Sequence, residues 1–568
     1  MAPDDRRTFL LRAAAVAAAG TALARPSSAA VGNVLEDEVT AATLAEAEKL
    51  AGIGFSDAER AQILRTIGDL RAQLAARRRS GVAIANSLPP AEAFRADLPE
   101  SPAIPVTADG DPTDVPQFRL RPGRPTDEDL CWANIPMLGA MLRAKLVSSE
   151  RLTQLALDRF DRMNPTLRCA ITVMREQALE RARSMDAELE AGKARGPLHG
   201  IPWAAKDILD TKGVRTTWGA EPWQDRVPTS DAWVVSALER AGAVLVAKTA
   251  VGALAYGDIW FGGTCRNPWN PEEGSSGSSA GSACAVAAGI VPFALGSETL
   301  GSIVSPCARC GASGLRPTFG RVPRTGCMSL VWSMDKIGPI ARSATDCGLV
   351  LSQLTGADAA DPASEARPLR WSMAQGVEGL RIGFAPAWFE GPGKELRPVL
   401  DALGEAGASL VEIAEPGIDP TPLLVPLFAE AAAAFEDLTR DGLDDRLSWQ
   451  ADEAWPNTFR QAWFIPAIEL VQSSRYRREA MRRMNAYFGA VDAVVCPPFA
   501  GGLLTLTNST GQPCAVARAG LSAAGKPLTA TVMSRVFDEG TALRVAQAIE
   551  RRLVLPAHRP PFATEAAR

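Results

Sequence analysis

The chain has 568 residues, 46% apolar and 22% charged, which allows a large core and is an ordinary globular composition. Its net charge of −5 leaves no basic footprint for nucleic acid, so none is expected as a partner. The two histidines, His199 and His558, exclude most histidine-based metal sites, and the ten cysteines include one close pair, Cys307-x-x-Cys310, with no second pair, so no metal or other cofactor is expected.

Residues 1–30 carry Arg6-Arg7-Thr8-Phe9-Leu10, then the apolar run Ala13–Ala24, then small residues Ser27–Ala30. That pattern is similar to a cleaved twin-arginine export signal and predicts a periplasmic or secreted protein. The run is too short to span a bilayer, and no later segment reads as transmembrane. Residues 31–133 are expected to form a helical extension and a wrapping segment. Two helices are predicted within 34–79, the second opened by Ser56-Asp57-Ala58-Glu59, a capping box, with Ile63, Ile67, Leu70 and Leu74 on one face. Residues 81–133 are rich in Pro, Asp and Ala and read as extended chain over the surface.

A single domain is expected over 134–557, with 558–568 as a tail. Ser148–Met163 and Met174–Ala191 read as helices around a strand, Leu167–Val173. Ile201–Ala205 is a short apolar strand with Lys206 at its carboxyl end. Helix Asp231–Ala241 and strand Ala243–Ala247 follow. The alternation predicts an α/β fold with a large mixed, mainly parallel sheet covered by helices on both faces. Sites in such sheets lie beyond the carboxyl ends of strands, where Lys206 falls. Later, helices near Ala429–Arg440 and Ile465–Phe488 and a strand at Val491–Val495 are predicted, with no clean boundary after Pro362.

The most informative stretch is 267–320. Two small-residue loops, Gly274–Ser282 and Gly296–Ser305, flank a tight helix, Ala283–Ala288, and a buried strand, Ile290–Leu295. Such loops let serine hydroxyls and backbone N–H groups converge on one small anionic target, as acyl transfer requires. The alternative is a flexible Gly/Ser linker, which the apolar helix–strand unit between the loops disfavours. Residues 277–281, Gly-Ser-Ser-Ala-Gly, match a G-x-S-x-G elbow literally, and Ser279 with a late His558 has the right chain order. An elbow, however, needs a strand just before its serine, and Asn267–Gly274 is polar and Pro-rich.

Ser276–Ala283, Leu295–Val304 and Cys310–Arg321 resemble the amidase signature family. So do GPLHGIPWAAKD (196–207), AGAVLVAKT (241–249), SMDKIGPIARS (333–343) and RVFDEGTALRVAQAIE (535–550), so the resemblance covers roughly 135–555. It implies the family's fold and a Ser–cisSer–Lys triad: Lys206 as base, Ser278 as bridging serine on a cis Gly277–Ser278 peptide, and Ser302 as nucleophile. The oxyanion would be held by backbone N–H groups of Thr299, Leu300, Gly301 and Ser302. Tyr256, Gly257 and Trp332 would border the substrate. Lys248 is the competing lysine, read as a surface or structural residue. Leu300 replaces a glycine and Val304 an arginine of the commonest pattern, which bears on the oxyanion loop.

The implied activity is amide-bond hydrolysis through an acyl-enzyme, with esters or carbamates as further substrates, and with a small-molecule amide as the partner of a monomer or homodimer. The alternatives are the glutaminase subunit of a tRNA-dependent amidotransferase, disfavoured by the export pattern, and a non-catalytic binding protein on the same fold.

Overall fold

Short apolar segments separated by helices build one mixed sheet of eleven strands in the computed structural model, which describes residues 38–80, 94–98, 123–554 and 558–565. The export pattern and most of the wrapping segment lie outside the described residues. The strands are β1 (Ala170–Val173), β2 (Pro202–Lys206), β3 (Val244–Thr249), β4 (Phe293–Glu298), β5 (Ser313–Arg316) and β6 (Lys336–Ala341). They continue as β7 (Arg381–Phe384), β8 (Ser409–Glu412), β9 (Ala493–Cys496), β10 (Cys514–Leu521) and β11 (Pro527–Ser534). Their spatial order is β1-β3-β2-β4-β6-β5-β10-β11-β9-β7-β8.

The sheet is less parallel than the alternation predicted. β2 pairs in parallel with β3 and β4, and β7 with β8 and β9, but every pairing from β4 through β6, β5, β10 and β11 to β9 is antiparallel. Antiparallel neighbours need no crossover helix, and β10 and β11 form a C-terminal hairpin. β2 and β4 are buried at every residue, as the apolar runs required of central strands. No helix among the described residues is long and apolar enough to cross a membrane.

The expected strand at Ile290–Leu295 lies three residues later, at Phe293–Glu298. Gly296–Glu298 therefore belong to the sheet, paired antiparallel with Lys336–Gly338, and the second small-residue loop shrinks to residues 299–303 before a helix at Val304–Cys310. Small residues read locally as loop, but β6 supplies a hydrogen-bonding edge that local composition does not register.

The described residues divide into two units. Residues 94–416 with 480–565 hold the sheet. Residues 38–80 with 417–479 form a helical unit. In it, Ser56 and Glu59 close the predicted capping box of helix Asp57–Arg79. Leu44, Phe55, Ile63, Ile67 and Leu70 make its core, with Trp463, Phe464 and Ile465 packed against them. Nearby, the Arg460 guanidinium faces Glu59, Asp444 and Asp445, which is the one cluster of three or more His, Cys, Asp or Glu side chains with metal-ligand spacing among the described residues. All ten cysteines are free thiols, and all but Cys327 are buried. Burial raises the thiols of Cys307 and Cys310 far above their ordinary range, so both stay neutral.

Candidate active site

Lys206 ends β2 at the carboxyl edge of the sheet and is fully buried. Its Nζ donates to Ser278 Oγ at 2.8 Å and to Ser297 Oγ at 2.8 Å, with Ser297 O at 3.4 Å. The neighbouring carboxylate, Asp207, turns away, because successive strand side chains face opposite sides. It accepts from Thr217 N at 2.8 Å and Thr217 Oγ1 at 2.5 Å, and it meets Lys248 at 3.3 Å. Lys248 is thus placed as a structural lysine, buried instead of superficial, and it also donates to Leu209 O and Thr216 Oγ1. The two lysines differ in kind: one faces hydroxyls and the other a carboxylate.

Ser278 follows a cis Gly277–Ser278 peptide and is fully buried. The segment before it is held at Ser276, where Asp258 accepts from the backbone N–H at 2.7 Å and Ser305 shares the hydroxyl at 2.7 Å. Ser279 N donates to Ser302 O at 3.1 Å, so the backbones carrying Ser278 and Ser302 lie side by side. Ser302 is 7% exposed. Ser279 itself is fully buried: its hydroxyl donates to Ser297 O and accepts from Ser297 N, both at 3.1 Å. A short strand, Asn270–Gly274, does precede these serines, but it pairs with Arg266–Asn267 in a separate ribbon. Neither feature makes Ser279 an elbow nucleophile.

Tyr256 and Gly257 lie on the loop behind Ser278. Packing there leaves no room for a side chain: a Cβ on Gly277 would come within 1.8 Å of Gly257 O, and one on Gly252 within 2.1 Å of the same oxygen. A Cβ on Gly281 would meet Cys169 O at 2.1 Å. Trp332 is 49% exposed. Its turn is tied to the serine loop through Asp335, which accepts from Leu330 N and Val331 N and from Thr299 Oγ1 at 2.6 Å.

The loop 299–303 is shaped by Glu298. That carboxylate is fully buried and accepts from Ile303 N at 2.8 Å, Val304 N at 2.9 Å, Arg316 Nη1 at 2.8 Å and Asn508 Nδ2 at 2.7 Å. Burial alone would raise its pKa; Arg316, Lys336 and the backbone donors overcome that and hold it at about 2. Gly301 takes the left-handed conformation in the loop, at φ 84°, and Leu300 does not, so the glycine-to-leucine departure falls where a side chain is tolerated. Val304 is buried at the start of the following helix. The N–H groups of Leu300, Gly301 and Ser302 donate to no protein acceptor among the described residues, which is uncommon for buried backbone.

Sequence reasoning misses Ser297, Asn508, Lys336 and Arg316. Ser297 sits inside a recognised motif, but its small neighbours read as loop. Asn508 lies 210 positions from Glu298 and carries no local signal.

A buried lysine bonded to a serine hydroxyl, beside a second serine and a loop with unused N–H donors, has the components that nucleophilic attack on an acyl carbon requires. The protein belongs to the amidase family, whose model matches residues 151–513. It is 32% identical to a glutamyl-tRNA(Gln) amidotransferase subunit of Anaeromyxobacter dehalogenans over 479 residues, 75% of this chain and 97% of that one. The corresponding protein of Moorella thermoacetica is 33% identical over 474 residues, 74% of this chain and 97% of that one. The native peptide amidase of Stenotrophomonas maltophilia superposes with a TM-score of 0.66 at 29% identity, covering 76% of this chain and 98% of that one. A bacterial aryl acylamidase of the amidase signature enzymes shares the fold, with a TM-score of 0.68 at 22% identity over 77% of this chain and 99% of that one. The chain is an amide-bond hydrolase of the amidase signature fold.

The amidotransferase relatives overturn two expectations. They are named as subunits of a glutamyl-tRNA(Gln) amidotransferase, against the expectation of a small-molecule amide, no nucleic acid and a monomer or homodimer. The physical reason is that net charge describes a chain's own surface and says nothing of a partner that holds the nucleic acid. The same relatives, named as amidotransferase subunits, also run against the expectation of a periplasmic or secreted protein. That expectation rested on composition within residues 1–30, where an arginine pair before an alanine run is not specific to export.

Proposed function

We propose that the chain hydrolyses a carboxamide through Lys206, Ser278 and Ser302, and that it acts as the glutamine-hydrolysing subunit of a tRNA-dependent amidotransferase. The observation that carries the chemistry is the 2.8 Å bond from a fully buried Lys206 to Ser278. Similarity to amidotransferase subunits across 97% of their length favours the subunit reading.

In the proposed reaction, neutral Lys206 takes the Ser278 proton while Ser278 takes that of Ser302. The Ser302 oxygen attacks the carbonyl carbon, and the oxyanion is received by N–H groups of Thr299, Leu300, Gly301 and Ser302. Ser278 then protonates the leaving nitrogen and takes its proton back from Lys206, the C–N bond breaks and ammonia departs. Water attacks the Ser302 ester by the same relay, and the carboxylic acid is released. Ser297 holds the lysine toward Ser278 throughout.

Ammonia release is measured from glutamine and a peptide carboxamide, and aniline release from an anilide, with the chain alone and with amidotransferase partner subunits plus glutamyl-tRNA. Glutamine turnover stimulated by the partners and lost in Ser302→Ala is the expected result. Turnover of other amides with none of glutamine, even with the partners, overturns the subunit reading. Turnover that survives Ser302→Ala overturns the triad.

Tyr256, Gly257 and Trp332 are proposed to border the acyl group. Trp332→Ala is expected to reorder acyl preference by severalfold without abolishing turnover, because the side chain is half exposed while its backbone carbonyl is held by Arg324. The same order of kcat/KM values across a panel of amides would assign Trp332 to the surface alone.

A further inference from the structure

Directly across the sheet from Glu298 stands Lys336, its partner in the β4–β6 register, and it too is buried. Three oxygens lie around its ammonium: Asn508 Oδ1 at 2.8 Å, Asn508 O at 3.3 Å and Thr299 O at 3.5 Å. All three can only accept, and an ammonium has three N–H bonds to give. Asn508 passes the connection on, donating to Glu298 Oε1 at 2.7 Å and to Leu504 O at 3.0 Å. From the far side, Arg316 reaches the same Glu298 oxygen, Thr507 Oγ1 and Gln512 O. Helix Leu503–Thr510 thereby sits against the loop, with Leu504 near enough to Gly301 that a Cβ there would meet it at 3.2 Å.

The Thr299–Leu300 peptide is the consequential one. Its carbonyl faces Lys336, so its N–H must point the opposite way, because the peptide is planar and trans. That N–H belongs to Leu300 and has no protein acceptor among the described residues. A cation behind the carbonyl fixes the plane and polarises the N–H outward. The Asp335 carboxylate is turned to the Thr299 hydroxyl and to Leu330 and Val331 N–H, while Lys336 places its positive charge directly behind this carbonyl. Charge of that sign, fixed in a low-dielectric site, stabilises an oxyanion more than a neutral ground-state carbonyl.

We propose that Lys336 and Asn508 are positioning residues of the oxyanion loop, Lys336 acting through the Thr299–Leu300 peptide and Asn508 through Glu298. This rests on the Ser302 reading of the site. Neither side chain touches substrate in this proposal.

The test uses the full chain with Lys336→Met, Lys336→Gln, Lys336→Arg and Asn508→Leu, and Ser302→Ala as the reference. On one amide, Lys336→Met should lower kcat about tenfold to a hundredfold with KM within twofold, since a directly lost oxyanion donor costs roughly 10²–10³. Affinity for a boronic acid or aldehyde that forms a tetrahedral adduct at Ser302 should fall by the same factor. Lys336→Gln keeps a donor without the charge and should recover only part of the loss. Lys336→Arg keeps the charge and should recover more than Gln. Asn508→Leu should repeat the kcat loss with KM held. A role in folding alone would lower the melting temperature and leave adduct affinity unchanged in the folded fraction; that result overturns the proposal. So does a Lys336→Met variant with wild-type kcat while Ser302→Ala is inactive. If Ser302→Ala is active, the fault lies with the triad and not with the positioning of the loop.

Discussion

Lys206→Ala and Ser302→Ala should each lower kcat by on the order of 10⁴-fold or more, as removal of members of a nucleophile–base unit does elsewhere. Lys206 is fully buried and bonded to Ser278, so an alanine there takes away the proton acceptor of the proposed relay. Arginine at 206 should not restore turnover, because guanidinium stays protonated and its fork does not fit a site shaped for one nitrogen. Since only a neutral amine accepts a proton, wild-type kcat/KM should rise with pH along an acid limb and level in the alkaline range. Lys248 is the comparison, but Lys248→Ala is a poorer control than the sequence implies. It leaves buried Asp207 without its cation, and breaking such a pair costs about 3–5 kcal/mol. Lys248→Met should therefore lose melting temperature while its folded fraction keeps a kcat near wild type. A dead, folded Lys248 variant beside an active Lys206→Ala would reverse the assignment.

Glu298→Gln should be the most damaging change to stability near the site. Gln keeps the size but removes the charge that faces Arg316 and Lys336, and leaving such cations buried costs about 3–5 kcal/mol at neutral pH. The pH dependence has a definite sign. Glu298 is held at about 2 against an ordinary value of 4.5, so the unfolded chain takes up its proton first on acidification. The stabilisation is present above about pH 4.5 and is lost as pH falls toward 2. Melting temperatures measured across that window should drop steeply for wild type and more gently for Glu298→Gln. Equal slopes for the two would remove Glu298 from the account.

Much of the candidate site is legible in the sequence because the relevant signals are local. Lys206 stands out as a cation at the end of an apolar strand, and Ser278 and Ser302 lie in runs of small polar residues. Hydroxyls and backbone donors crowd together only where bulk is absent, and composition reports bulk directly. The rest depends on which strand lies beside which. Ser297 reads as loop until β6 pairs with it, and Asn508 gains meaning only when helix Leu503–Thr510 folds back onto Glu298. Residues 417–479 join the N-terminal helices through apolar contacts made over hundreds of positions, and no linker-like composition marks where they begin. Partner and compartment are least legible. Whole-chain charge and thirty terminal residues are the only signals for them, and neither describes the reacting centre.

The glycines packed behind Ser278 bear on how a protein of this design can diversify. Gly252, Gly277 and Gly281 press backbone on backbone with no space for one added carbon. That floor has no neutral neighbours in sequence space, so random substitution there is purged whatever the substrate. Change is tolerated instead at half-exposed positions such as Trp332, where a new side chain meets solvent first. Libraries meant to retune the enzyme should concentrate their diversity on that rim and leave the floor constant, and lineages that changed their amide should carry the record of it in the rim alone.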